Sequence, residues 1–147
     1  MRQQSDIQSL QANLYYQLGT GQLDAAKKTL KSLVTDVPYS NKKLASMDME
    51  ERYRLVISSI LHAVGFRVEV EHMLASGRID IVVWGPRIIY VIELKLQNNG
   101  GMVAGAKQIT TNQYLAPFQG DKRRVIGLAI ELDDLGKGII DWTIVEP

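Results

Sequence analysis

Between Arg78 and Leu96 the chain passes through two segments rich in β-branched residues, RIDIVVW and IIYVIELKL, separated only by Gly85-Pro86-Arg87. Such segments form strands, and a connection this short makes them an antiparallel pair. The neighbouring segments say what must cover them. FRVEVE, Phe66 to Glu71, alternates cleanly and predicts a strand wetted on one face, followed by a connection over His72–Gly77. RVIGLAIEL (Arg124–Leu132) and IIDWTIV (Ile139–Val145) predict two more strands, joined by a turn over Asp133–Gly138. Helical spacing of Met49, Tyr53, Val56, Ile57, Ile60, Leu61 and Val64 predicts a helix from about Met47 to Val64. Asp48 and Glu51 form an acidic variant of its capping box, and Gly65 stops it. After the breaker Asn98-Asn99-Gly100-Gly101, a second helix is expected over Val103–Ala116, ended by Pro117. The order is helix, three strands, helix, two strands. It implies an α/β domain with a mixed central sheet flanked by helices, in which Ile88–Leu132 forms a right-handed parallel crossover.

Upstream, Ile7, Leu10, Leu14 and Leu18 mark a helix over Ser5–Leu18, broken by Gly19-Thr20-Gly21. A second short helix runs from Asp24, as N-cap, to Val34, and Pro38 ends it. Tyr39–Ser46 is polar and linker-like. The division expected is therefore an N-terminal helical hairpin and linker over 1–45, and a core over 46–147.

Composition narrows the chemistry. The 147 residues contain no cysteine and two histidines, which excludes disulfide scaffolds, thiolate or multi-histidine metal sites and cysteine nucleophiles. A net charge of +1 excludes a histone-like basic coat, though a local patch can still bind nucleic acid. No signal-peptide core and no apolar run near the roughly 20 residues of a membrane span is visible. A cytoplasmic protein without membrane contact is expected.

Asp80, Glu93 and Lys95 are charges inside otherwise apolar strands, and a buried charge is costly unless paired or metal-bound. If Gly85–Ile88 is a four-residue loop, Trp84 faces Ile89 and Asp80 faces Glu93. Cross-strand partners stand about 5 Å apart, and Lys95 shares the face of Glu93. Two carboxylates so close repel unless a cation lies between them. Their oxygens suit Mg²⁺ or Mn²⁺, and a neighbouring lysine can orient a metal-bound water or offset phosphoryl charge. That would suffice for metal-assisted phosphodiester hydrolysis. The competing reading is a solvated strand face with an ordinary Glu–Lys pair. Val82, Trp84 and Val91 on the same face argue against it.

Gly77-Arg78-Ile79-Asp80, twelve residues, then Glu93-Leu94-Lys95 resembles the PD-(D/E)XK nuclease superfamily. More of the chain resembles its branch often found C-terminal to AAA-type ATPase domains in bacterial proteins. Glu50-x-x-Tyr53, Val70-Glu71, Tyr90-Val91-Ile92-Glu93-Leu94-Lys95, and Ala106-Lys107-Gln108-Ile109 with Tyr114 six residues after the glutamine all match. The leading helical hairpin and Val37-Pro38 match too. Arg54 departs, standing where the branch tends to carry histidine. The resemblance implies a restriction-endonuclease-like core, Mg²⁺ or Mn²⁺, and a DNA substrate. It makes Asp80 and Glu93 metal ligands, with the Leu94 carbonyl as a further ligand. Lys95 would position the attacking water, and Gln108 would be a polar accessory. An AAA-type ATPase domain, in the same or a neighbouring chain, and a homodimer are the implied protein partners. A catalytically silent nucleic-acid-binding or regulatory module on the same fold, acting with an ATPase partner, is the alternative.

Helix phase separates Glu50 from Glu51. At about 100° per residue from Met49, the apolar arc spans about −20° to 120°, with Glu50 near 100° and Glu51 near 200°. Glu50 is therefore expected at the site, and Glu51 in water at the helix cap. His62 is expected at the surface. His72 lies in a strand-end loop, and Glu71 is either an outer partner of the site or solvated. Lys27, Lys28, Lys31, Lys42 and Lys43, and separately Lys122-Arg123-Arg124, form basic clusters that could hold phosphates or simply be solvated. Gly100-Gly101 lacks a following Lys-Ser/Thr, so it is not a nucleotide-binding loop.

Overall fold

A computed structural model of the chain describes residues 4–35 and 47–147. In chain order it contains α1 (Gln4–Thr20), α2 (Leu23–Leu33), α3 (Met49–Val64), β1 (Arg67–Leu74), β2 (Gly77–Trp84), β3 (Ile88–Leu96), α4 (Gly101–Thr111), β4 (Arg124–Leu132) and β5 (Ile139–Val145). The strands form one sheet in the order β1-β2-β3-β4-β5. β3 and β4 are parallel, and the other neighbours are antiparallel. This is the mixed sheet the pattern predicts, and the strand–helix–strand unit joining β3 to β4 is parallel as expected.

The alternation of β2 and β3 divides the core between the two faces of the sheet. Ile81, Val83, Tyr90, Ile92 and Leu94 pack with α1, α2 and α3. Val82, Ile89 and Val91 pack with Ile109 of α4 and with Tyr114, Leu115 and Phe118 beyond it. α4 comes close to the sheet because Gly105 has no side chain: a Cβ there would lie 3.1 Å from the Ala129 Cβ and 3.4 Å from the Lys95 Cγ.

The N-terminal hairpin is part of the first core. Leu14, Leu18, Leu30 and Val34 are buried in it, and each such leucine stabilises the fold by about 2 kcal/mol. Polar contacts orient the hairpin. The Tyr90 hydroxyl donates to the Leu18 carbonyl at 2.6 Å. Lys27 pairs with Asp141 at 2.8 Å, and Lys31 donates to the Ile140 carbonyl at 2.9 Å.

Several boundaries differ from expectation. α1 continues through Gly19 to Thr20, and Gly21, at φ 78°, makes the break. Gln22, not Asp24, is the N-cap of α2; Asp24 lies in the first turn, where the helix dipole favours a carboxylate. β1 runs on to Leu74, so the expected connection shrinks to Ala75-Ser76. Backbone pairing of His72, Met73 and Leu74 with β2 holds this stretch extended where the alternation fades. α4 ends at Thr111, and Gln113 takes φ 52°. Pro117 lies in a separate short turn of 3-10 helix, Ala116–Phe118. The kink turns Tyr114 inward, where it is buried. Pro38, the Tyr39–Ser46 linker and Lys42 and Lys43 lie outside the described residues. No helix among the described residues is long and apolar enough to cross a membrane.

Candidate active site

β2 and β3 pair from Trp84–Ile89 to Ile81–Ile92, the register set by the Gly85–Ile88 turn. One step further stand Asp80 and Glu93, each 3% exposed. There the backbone ladder gives way to a side chain: Asp80 Oδ2 accepts the Leu94 N–H at 2.8 Å. A buried N–H needs a partner, so the carboxylate replaces a ladder bond and props the strands apart. The N–H and C=O of one strand residue point to the same neighbour. The Leu94 carbonyl therefore faces this opened edge too.

The pair is electrostatically unfavourable by itself. Burial, then hydrogen bonding to Asp80 and its negative charge, push the Glu93 carboxyl well above the usual carboxylate range, against a smaller opposing pull from Lys95. Glu93 Oε1 accepts a hydrogen bond from Gln108 at 3.3 Å, but Oε2 is buried with no partner. A buried acceptor left unmet beside a second carboxylate is what a cation would satisfy.

Lys95 is half-buried on the same strand, its stem against Gly105. Glu50, in the first turn of α3, stands near enough for Asp80 and Lys95 to act on it. Its carboxyl is raised by burial first and by Asp80 next, while Lys95 and the Leu96 backbone pull it down. The expectation for Glu51 needs correction: it is half-buried, not exposed. It lines cavities shared with Glu50 and Arg54 on one side and with Val70 and Glu71 on the other. The rim of β1 therefore borders a helix face that the sheet alone would leave in water. Its backbone N–H is still capped by Asp48 at 2.8 Å. Glu50→Gln is expected to weaken Mg²⁺ binding about tenfold, as for an interaction worth one pK unit. Glu51→Gln should leave binding within a factor of two or so and cost less than about 1 kcal/mol. Calorimetric titration of both variants checks the pair; equal losses would refute the helix phase.

Gln108 is held from behind. Its amide also donates to the Tyr114 hydroxyl at 3.2 Å, which accepts from Asn112 at 3.3 Å and donates to the Arg78 carbonyl at 3.2 Å. The glycine of Gly77-Arg78-Ile79-Asp80 makes room for this hydroxyl: at φ 154°, a Cβ on Gly77 would lie 2.6 Å from it. Two motifs far apart in sequence thus meet at one atom. Gly77→Ala is expected to cost on the order of 2 kcal/mol, from backbone strain and the displaced hydroxyl. A thermal melt checks this, and an unchanged midpoint would contradict it. The partnership of Tyr114 with Asn112 was not legible in the sequence, because the two flank an unpredicted kink at Gln113.

Arg54 is a site residue that the sequence motifs do not single out. Its phase, about 140° from Met49, lies at the edge of the apolar arc and was the available signal. Its guanidinium stands 3.7 Å from Asp80 and pairs with Glu71 at 2.8 Å, and Arg78 reaches the same Glu71 oxygen at 3.3 Å. Glu71 is therefore a partner at the border of the site. His62 is exposed. His72 is bonded to Glu69 and lies 5.6 Å from the Phe118 ring. The basic clusters are largely spent on ion pairs and docking: Arg123 pairs with Asp121 at 2.8 Å, Arg124 pairs with Glu146, and Lys27 and Lys31 dock α2 on β5.

No group of three or more histidine or acidic side chains is arranged around a common ion position among the described residues. Two carboxylates and a carbonyl suit a small hard ion such as Mg²⁺, which is usually held by one or two carboxylates. The unpartnered Glu93 oxygen supports that fit.

A family model described as the PD-(D/E)XK nuclease superfamily matches residues 48–142, from the N-cap of α3 into β5. No curated protein and no solved structure matches the chain.

Proposed function

From the chain's membership of the PD-(D/E)XK nuclease superfamily, we propose that it is a metal-dependent nuclease that hydrolyses DNA phosphodiester bonds. The observation that carries this reading is the buried, adjacent pair of Asp80 and Glu93 with an unmet Glu93 oxygen. Asp80, Glu93 and the Leu94 carbonyl hold Mg²⁺ or Mn²⁺. When bound, the ion supplies charge stabilisation at the phosphoryl oxygens and lowers the pKa of water. Lys95 holds the attacking water and orients it towards phosphorus. Gln108, braced by Tyr114, keeps Glu93 in its rotamer. Glu50 closes the acidic side of the site. An AAA-type ATPase domain and pairing of two copies remain parts of the proposal that rest on sequence resemblance.

The rival reading is a silent nucleic-acid-binding or regulatory module acting with an ATPase partner. It gives no reason for burying two carboxylates against each other with a lysine alongside. Purified protein should cut single-stranded, duplex or branched DNA when Mn²⁺ or Mg²⁺ is present and should stop when the metal is chelated. Absence of cleavage on all three substrates would refute the enzyme and favour the module.

A further inference from the structure

Beside Asp80 lies a cluster that the proposed hydrolysis does not use. Val70 pairs with Ile81 and His72 with Ile79, so Glu71 on β1 stands across from Asp80 on the side of β2 away from Leu94. There the backbone of Glu71 takes φ 54°, a left-handed conformation unfavourable for a residue with a side chain. In this position one carboxylate oxygen, Glu71 Oε1, receives both Arg54 at 2.8 Å and Arg78 at 3.3 Å. Neutralising Glu71 needs one arginine. The second charge is answered by Asp80 at ion-pair distance, so what Glu71 leaves over is hydrogen-bonding capacity, most of the five N–H donors on each guanidinium. Asp80, at 3.7 Å from Arg54, is too far to take a hydrogen bond from it.

Both arginines line a cavity of about 290 Å³ together with Asp48, Glu50 and Glu51. They are the two cations among its described lining residues, facing three carboxylates, with Asp80 and Glu93 close by. A polyanion would be repelled from such walls unless something on them received its phosphates. Paired guanidinium forks match the two non-bridging oxygens of a phosphodiester.

We propose that Arg54 and Arg78, held side by side by Glu71, form a phosphate subsite. It takes the phosphodiester of a nucleic-acid backbone next to the one that reacts at Asp80 and Glu93. This rests on the nuclease reading for the neighbouring reaction, but not for the binding itself. The test is the affinity of a fluorescent DNA duplex measured at several salt concentrations with Mg²⁺, in a Lys95→Ala background that prevents cutting. Arg78→Ala and Arg54→Ala should each bind roughly tenfold more weakly, as expected for loss of a charge-assisted bond. Each should also lower the slope of log K against log salt by about 0.9, the share of one duplex phosphate. Arg78→Lys should keep the slope, since the charge remains. Folded variants with unchanged affinity and slope would overturn the subsite and leave the arginines as counter-ions of the acids. If Arg54→Ala does not fold, the half-exposed Arg78 decides the question alone. A wild type that cuts no DNA yet shows arginine-dependent binding would keep the subsite and sink the nuclease. Failure of the Lys95→Ala protein to bind DNA even at low salt, while the wild type still cuts, would overturn the subsite alone.

Discussion

Lys95→Ala is expected to reduce DNA cleavage by at least about 10²- to 10⁴-fold, the usual contribution of a group that handles the proton or water in the transition state. Binding of Mg²⁺ should be preserved or slightly strengthened. Lys95 shares a strand with Glu93, and its charge acts on both Glu93 and Glu50. It therefore opposes a second cation modestly, while not ligating it. The fold should survive, because the residue is only half-buried and its stem lies along the small Gly105. Single-turnover cleavage, together with calorimetric metal titration, separates the two effects. Equal loss of metal affinity and rate would make Lys95 part of the ion's binding. Retained cleavage would remove it from the chemistry altogether.

Asp80→Asn should abolish metal-induced stabilisation and cleavage together, yet leave a folded protein. Asparagine keeps a carbonyl oxygen for the Leu94 N–H, the bond that replaces the strand ladder at this point. Asp80→Ala lacks that acceptor and leaves a buried N–H unpaired, which costs about 1–3 kcal/mol. Comparing the two isolates charge from propping. In wild type, Mg²⁺ at a hundred times its dissociation constant should raise stability by about 2.7 kcal/mol. Neither variant should respond. A wild-type shift that persists in Asp80→Asn would place the ion elsewhere.

These expectations draw unequally on sequence and structure. The strands β3, β4 and β5 and the cap at Asp48 were legible because their signals are local: β-branched runs between turn residues, and an acid one residue before a helix. The juxtaposition of Asp80 with Glu93 was legible as well, because one short turn sets the register for its whole hairpin. Local signals misled where partners distant in sequence intervene. Helix periodicity carried α4 on towards Pro117, whereas the chain turns at Gln113 to bury Tyr114 under β2. The phase arithmetic put Glu51 in water because it counted only the sheet as a neighbour, and the rim of β1 lies on the other side.

The sequence by itself determined the element order, the mixed sheet, the family likeness and the facing of two acids across a hairpin. The likeness rests on the motif residues themselves, and the rest follows from period-2 and period-3.6 patterns and from the reach of a short turn. Only the tertiary structure decided what surrounds those acids: the Gln108–Tyr114–Gly77 brace, the unmet Glu93 oxygen, and the Arg54–Glu71–Arg78 cluster. The brace and the cluster join residues from separate elements. Contacts and burial of that kind are set by how helices and strands pack, and no local spacing encodes them.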